Sequence, residues 1–199
     1  MLNLINKIYS ILLIIIFILC VFFVPILYSN QDKTYITSSY VSSKYDLYWP
    51  IPNYTYISSY FGRRVSPTSG ASSYHSGLDI PAPEGTPLYA ADDGEITFAS
   101  WGAGGGYTIV IKSTSHDNLS FSYCHVSPIM YIRLHDKVLK GEMIGSVGPK
   151  NVYGINDNPY KDSNGNPTNG ATTGCHLHFT IKENGNAVNP LNYYDLSDN

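Results

Sequence analysis

The sequence predicts an all-β domain of antiparallel strands, preceded by one N-terminal transmembrane helix. Six short segments rich in β-branched or aromatic residues are separated by Gly, Asp or Asn, which is typical of strands. The 17 Gly and 12 Pro are scattered along the chain, which favours many turns over long helices. The helix is predicted from an uncharged apolar run near the N-terminus. Roughly 170 residues follow that run, a length that suits one domain.

The apolar run extends from Ile8 to Tyr28, and 19 of its 21 residues are hydrophobic. As a helix it would be about 30 Å long, which matches the hydrocarbon layer of a bilayer. No Ala-x-Ala-like cleavage site follows between Val24 and Asn30, which favours an uncleaved anchor; secretion after signal cleavage is the alternative. Lys7 precedes the run and places the rest of the chain outside the cytoplasm. We therefore expect a single-pass protein of the cell membrane with an extracytoplasmic domain.

The chain divides into the anchor at 1–28, a spacer rich in Ser, Thr and Tyr at 29–52, and the β domain at 53–196. A proline after Ser127 makes Pro128–Leu134 a candidate short helix. The polar stretch 149–172 is predicted to be a long loop, and loops of that length are usually functional or disordered. The predicted strands are 88–91, 95–99, 107–112, 119–125, 143–147 and 176–182.

Charge and cysteine content exclude some classes of protein. Twelve basic against 15 acidic residues give a net charge of −3, which indicates no nucleic-acid partner. Cys20 lies in the apolar run, so only Cys124 and Cys175 could form a disulfide in the domain. Each precedes a histidine, and strand alternation would turn both cysteines away from a site that the histidines face. There they would be buried thiols or, if their strands are neighbours, a disulfide.

Histidines and one aspartate provide the candidate chemistry. His75 and Asp79 are four residues apart, and His176 and His178 are two apart, which puts both imidazoles on one face of a strand. Two histidines and one carboxylate with an open fourth position form a catalytic zinc site, whereas a structural site has four protein ligands. Zinc in such a site lowers the pKa of a bound water towards 7, which favours hydrolysis. These spacings alone are weak evidence.

The sequence around these two residue pairs is more specific than their spacing. Ser59-Tyr-Phe-Gly-Arg-Arg64 is followed by His75-Ser-Gly-Leu-Asp79 and its extension to Ala91, then by Tyr123-Cys-His-Val-Ser127 and Thr173-Gly-Cys-His-Leu-His-Phe179. The sequence from about 57 to 194 resembles the lysostaphin/LytM-type zinc endopeptidases, with these motifs in the family's order. The resemblance implies antiparallel sheets that form a groove, an arrangement called the duplicated hybrid motif.

The resemblance also implies roles for five residues. His75, Asp79 and His178 match the family's three zinc ligands, which implies one Zn²⁺ per chain. His176 and His125 match its two non-ligand histidines, and we favour His176 as the general base and His125 as the stabiliser of the oxyanion. The implied function is hydrolysis of peptide bonds in peptidoglycan stems or cross-bridges. The alternative is a membrane-tethered, non-catalytic scaffold that binds an envelope protein through the same fold.

Other features have simpler interpretations. In the family, the Ile-Gly-x-x-Gly segment, here Ile144 to Gly148, is followed almost directly by the last histidine motif. About twenty residues of the 149–172 loop are therefore an insertion relative to the family. We expect this insertion to form a wall of the groove. Its acidic and amide residues do not follow the EF-hand spacing and predict no calcium site. His116 and His135 are expected to be solvated loop residues. The glycines at 102–106 precede a strand and are expected to connect a hairpin.

Overall fold

A computed structural model describes residues 42–43 and 45–196. The predicted anchor and the first part of the predicted spacer lie outside the described residues. Within these residues, no helix has both the length and the apolar character needed to cross a membrane. The described elements are two 3-10 helices, Ala103–Gly105 and Pro190–Asn192, and the strands β1 Ser42–Ser43, β2 Gly62–Arg63, β3 Tyr74–His75, β4 Leu78–Pro81, β5 Pro87–Tyr89, β6 Gly94–Trp101, β7 Tyr107–Ser113, β8 Leu119–Cys124, β9 Lys137–Val138, β10 Met143–Ser146, β11 His176–Glu183, β12 Asn186–Val188 and β13 Tyr194–Asp195.

The main sheet is antiparallel and has seven strands. Its strand order is β12-β11-β8-β7-β6-β9, and β4 pairs with β11 outside this path. Three two-stranded pairs accompany it: β1 with β13, β5 with β10, and β2 with β3. The predicted all-β class is therefore confirmed.

Alternation along the central strands separates the core from the opposite face of the sheet. In β11, Leu177, Phe179 and Ile181 are fully buried, and in β8 Phe121 and Tyr123 are too. Residues that alternate with them point to the other face, because successive side chains of a strand project to opposite sides. The predicted site residues His176 and His178 lie on that second face.

The six predicted strands all occur, within one or two residues of their predicted bounds. The predicted helix at Pro128–Leu134 is wrong, because these residues form bends and a turn. The Ser127 hydroxyl accepts a hydrogen bond from the Ile129 amide, and the Asp136 carboxylate accepts one from the Arg133 amide. These side-chain bonds compete with helical hydrogen bonds and fix a turn on the way to β9.

The end of the predicted spacer is packed into the domain. Leu47 and Ile51 are buried, and Trp49 is 2% exposed. The Trp49 ring contacts Tyr194 edge to face, with centroids 5.0 Å apart, and its indole N–H donates to the Tyr54 carbonyl at 2.9 Å. The segment before residue 53 therefore contributes to the core.

Trp49→Ala is expected to lower the free energy of unfolding by about 3–5 kcal/mol, because it leaves a large cavity and an unpaired carbonyl. Urea denaturation followed by circular dichroism measures this change. Tyr56→Ala is the matched control, since Tyr56 is 73% exposed and its removal is expected to change stability by less than about 0.5 kcal/mol. Equal stabilities for the two variants would contradict the packing role of Trp49.

Candidate metal centre

Three side chains converge on the second face of the main sheet. The register of β4 and β11 places Asp79 opposite His178, and β3 brings His75 beside them. His75 Nε2 lies 3.0 Å from Asp79 Oδ1 and 2.9 Å from His178 Nδ1, and the third edge, from His178 Nδ1 to Asp79 Oδ1, is 2.8 Å. Among the described residues, these three form the group able to hold a metal ion.

Hydrogen bonds to the outer nitrogens show that the inner nitrogens present lone pairs. His75 Nδ1 lies 2.8 Å from the Tyr60 carbonyl oxygen and donates to it, so in the neutral ring Nε2 is unprotonated. His178 Nε2 lies 3.0 Å from the Thr180 hydroxyl, which can accept its proton and leave Nδ1 free. Two imidazole lone pairs and a carboxylate oxygen within 3.0 Å of one another fit a zinc ion and one open coordination position.

Electrostatics keep this donor set in its metal-binding form. Burial alone raises the pKa of Asp79, but its close contacts with the surrounding histidines outweigh this effect and hold the pKa well below its usual range. Burial lowers the pKa of His178, and this effect outweighs the neighbouring Asp79 carboxylate, which raises that pKa. The carboxylate is therefore ionised and the ring neutral, as metal ligands must be.

Arg64 orients the carboxylate. Its Nη1 donates to Asp79 Oδ2 at 2.9 Å and to the Ser59 hydroxyl at 2.6 Å. Asp79 Oδ2 is thereby occupied, and only Oδ1 faces the two histidines. Arg64 belongs to the Ser59–Arg64 motif, but the motif alone predicts no role for this residue.

Arg64→Ala is expected to weaken zinc binding about 10–100-fold, because the Asp79 carboxylate loses the hydrogen-bond donor that orients it. Competition with a chromophoric chelator measures the zinc affinity. Arg63→Ala is the control, since Arg63 is the exposed neighbour of Arg64. The role of Arg64 is refuted if both variants bind zinc as tightly as the unmodified chain.

His176 and His125 lie beside the three converging side chains. Their ring centroids are 4.7 Å apart, and His176 Nε2 is 3.5 Å from Asp79 Oδ1. His176 Nδ1 donates to the Gly174 carbonyl at 2.9 Å, and His125 Nδ1 donates to the Asn169 carbonyl at 2.7 Å. In the neutral rings, both Nε2 atoms therefore carry lone pairs.

His125 has an unusual backbone conformation. Its φ is +59°, in the left-handed region that non-glycine residues rarely adopt. The conformation is held by backbone hydrogen bonds, from its N–H to the Gly105 carbonyl at 2.7 Å and from the Gly148 N–H to its carbonyl at 2.9 Å. A Cβ at position 148 would lie 2.3 Å from the Val126 carbonyl oxygen, so only glycine allows this approach.

This conformation explains why the expected placement of Cys124 is wrong. Cys124 pairs with both His178 and Thr108 across the sheet and lines the same cavity as they do. The alternation that would have separated it from His125 ends with β8, where the backbone turns at the positive φ of His125. Cys175 lines a cavity beside Asp79 and also packs against the core. Both thiols are free and half-buried, and burial raises the pKa of the Cys124 thiol to about 11.

Two cavities flank the centre, and together they form the groove. One has a volume of about 360 Å³ and the other about 530 Å³. Arg64, His125, Ala171 and His178 line both of them. The centre therefore lies between the two cavities, in the middle of this open groove.

The 149–172 loop contributes its last residues to this groove. Ala171 lines both cavities and Thr172 lines one, whereas the inserted residues before them are not among the lining residues. The loop supports the site through Asn169, which is fully buried and whose amide nitrogen donates to the Val126 carbonyl at 3.0 Å. Asp162, an acidic residue of the loop, forms an ion pair with Lys150 at 3.3 Å and accepts hydrogen bonds from the backbone N–H groups of Asn164 and Asn166 in a tight turn.

The remaining candidates lie outside the centre. His116 Nδ1 is 2.7 Å from the buried carboxylate of Asp92, so it is paired rather than simply solvated as expected. His135 is 74% exposed and 2.7 Å from Glu95. The glycine-rich segment 102–106 contains the 3-10 helix Ala103–Gly105 and connects β6 to β7, as predicted.

The fold and the centre define a class of protein: an all-β protein with a His-Asp-His set of candidate metal ligands in an open groove. The chain belongs to peptidase family M23, whose model matches residues 73–190. The predicted resemblance to lysostaphin/LytM-type endopeptidases and the predicted zinc are thereby confirmed.

Individual relatives agree with this assignment. The DD-carboxypeptidase/endopeptidase Mpg of Neisseria meningitidis serogroup B is 35% identical over 138 residues, which cover 69% of this chain and 27% of Mpg. The peptidoglycan DD-endopeptidase ShyC of Vibrio cholerae is 28% identical over 169 residues, 84% of this chain and 34% of ShyC. The chain thus spans about a quarter to a third of the length of these curated relatives. The catalytic domain of lysostaphin from Staphylococcus simulans matches with a TM-score of 0.54 and 26% identity, over 70% of this chain and 91% of that domain.

Proposed function

We propose that this chain is a zinc-dependent endopeptidase that hydrolyses peptide bonds in peptidoglycan stems or cross-bridges. The observation that carries the proposal is the convergence of three metal-ligating side chains and two further histidines in one open groove. A structural zinc site would be closed by a fourth protein ligand, whereas here the described groove leaves that position accessible. The relatives support the same class of substrate, since Mpg is a DD-carboxypeptidase/endopeptidase and ShyC is a peptidoglycan DD-endopeptidase.

His75, Asp79 and His178 are the proposed zinc ligands. Zinc bound there supplies a Lewis acid that polarises the substrate carbonyl and makes a water more acidic. Arg64 keeps one carboxylate oxygen of Asp79 aimed at the histidines. The groove on both sides of the centre can hold an extended peptide.

His176 is the proposed general base. Its Nδ1 proton is held by the Gly174 carbonyl, so its Nε2 can accept a proton from the attacking water and return it to the leaving amine. His176 is half-buried whereas His125 is buried, so the His176 ring is the more accessible of the two to a water in the groove.

His125 is the proposed stabiliser. Burial, together with the neighbouring His176 and His178 rings, lowers its pKa to about 3, so the resting ring is neutral. Because Nδ1 donates to Asn169, the neutral ring accepts a hydrogen bond at Nε2 and can orient the attacking water. Donation from Nε2 to the oxyanion would require the ring to take up a second proton from solvent through the open groove, which the developing negative charge would favour.

The proposal includes the location. The run Ile8–Tyr28 would anchor the chain in the cell membrane with the β domain outside the cytoplasm, where peptidoglycan is accessible. The proposal also includes an envelope protein as a further partner of the tethered domain.

The test combines elemental analysis of the full chain with its action on purified peptidoglycans of several cross-bridge types. One zinc per chain and chelator-sensitive release of peptide fragments are the expected results. Zinc without cleavage of any peptidoglycan would favour the tethered scaffold. Absence of zinc would overturn the ligand assignment.

A further inference from the structure

A row of polar side chains extends away from the metal centre along the floor of the smaller cavity. On β11, Thr180 and Lys182 follow His178 at intervals of two residues and so share its face. The register places Ser122 of β8 opposite Thr180. Ser122, Thr180 and Lys182 all line this cavity. We call Ser122, Thr180 and Lys182 the polar shelf.

The charges along this cavity have one sign. Arg64 and Lys182 line it, and its described lining residues include no aspartate or glutamate. Because Arg64 is already paired with Asp79, Lys182 is the charge that can meet a substrate here. In the larger cavity the lining carboxylate is Asp79, which is assigned to the metal. The whole chain has a net charge of −3, so the positive lining of this cavity does not follow from a basic composition. Among the described residues, no carboxylate lies within ion-pair distance of Lys182.

The distance from His178 to Lys182 along the polar shelf predicts which substrate residue would contact Lys182. Lys182 is four positions after His178 on β11, which corresponds to about 13 Å. An extended peptide advances by about 3.3 Å per residue, so Lys182 lies three to four substrate residues from the bond beside the centre. A side-chain or terminal carboxylate at that position could reach the ammonium group.

We propose that the polar shelf is a subsite for a substrate carboxylate three to four residues from the cleaved bond. Lys182 supplies the charge and the hydroxyls of Ser122 and Thr180 supply hydrogen bonds. This inference rests on the proposed function and specifies its substrate class. Acidic peptides, such as peptidoglycan stems with free carboxylates, are preferred to uncharged glycine bridges.

The test uses two synthetic peptides that are identical except for a carboxylate or a carboxamide at the shelf position. Their binding to the full-length zinc-loaded His176→Ala variant is measured by titration calorimetry, and their cleavage by the unmodified chain gives kcat and KM. We expect the carboxylate peptide to bind more tightly by roughly 2–5-fold, as for an exposed ion pair, and the preference to fall with added salt. The difference should appear in KM and not in kcat.

Lys182→Gln is expected to remove this preference while zinc content stays unchanged. Lys112→Gln is the matched control, because Lys112 lies in the same row of the sheet but is not among the cavity-lining residues. Its ammonium donates to the Asp117 carbonyl, and it lies about 10 Å from Lys182, where salt screens its charge.

Binding and cleavage separate this inference from the proposed function. Preferential binding of the carboxylate peptide without cleavage would retain the subsite and reject the endopeptidase. Cleavage with equal affinity for the two peptides would reject the subsite and retain the endopeptidase. Binding of neither peptide, or an equal effect of the Lys112 substitution, would also overturn the subsite.

Discussion

Replacing His178 with alanine is expected to remove zinc from the protein and to abolish its peptidase activity. His178 Nδ1 is within 2.9 Å of both other donor atoms, and only two ligands would remain without it. Loss of a hydrogen-bonding partner of a ligand already costs about 10–100-fold in metal affinity, so loss of a ligand should cost more. Elemental analysis after gel filtration measures zinc content, and fragment release from peptidoglycan measures activity.

The control for this variant is His135→Ala. His135 is 74% exposed and paired with Glu95, away from the centre, so zinc content and activity should both be unchanged. Thermal unfolding of the His178 variant distinguishes loss of metal from loss of fold. A His178→Ala protein that keeps one tightly bound zinc would show that the metal is held elsewhere.

The strands could be predicted because each carries its own local signal. In β11, large apolar residues alternate with polar ones over His176–Glu183, and the structure buries the apolar set. The four-residue β4 gives no such signal, because Leu78–Pro81 includes an aspartate and a proline. It forms a strand through pairing with β11, a contact between residues about 100 positions apart. Short strands of this kind depend on tertiary contacts that no local window contains.

The metal centre was predictable for a different reason. The zinc-ligand types and their motif context are local, so His75, Asp79 and His178 could be singled out before their distances were known. The supporting contacts of Arg64 and Asn169 have no such pattern. Arg64 occurs within a quoted motif, which is a weak signal, and Asn169 was only one of several polar residues in a long loop.

The orientation of His125 also could not be predicted. Strand alternation assigns it and Cys124 to opposite faces, but its positive φ brings both into one cavity. That φ depends on backbone hydrogen bonds with Gly105 and Gly148, which come from two other loops. A local rule therefore fails where long-range contacts determine the backbone, and the failure falls at the proposed active site.

Replacing His176 with alanine is expected to reduce kcat by about 10²–10⁴-fold, the usual contribution of a general base. Zinc should stay bound, because His176 Nε2 is 3.5 Å from Asp79 Oδ1 and is not one of the three closely spaced donor atoms. The same preparation is assayed for zinc by elemental analysis and for cleavage of the peptidoglycan that the unmodified chain cuts best. His116→Ala is the control, since His116 pairs with Asp92 away from the groove. Retained cleavage would transfer the role of base to His125, whose Nε2 presents the same kind of lone pair. Loss of zinc together with cleavage would instead make His176 part of the metal site, so the two readouts separate proton transfer from metal binding.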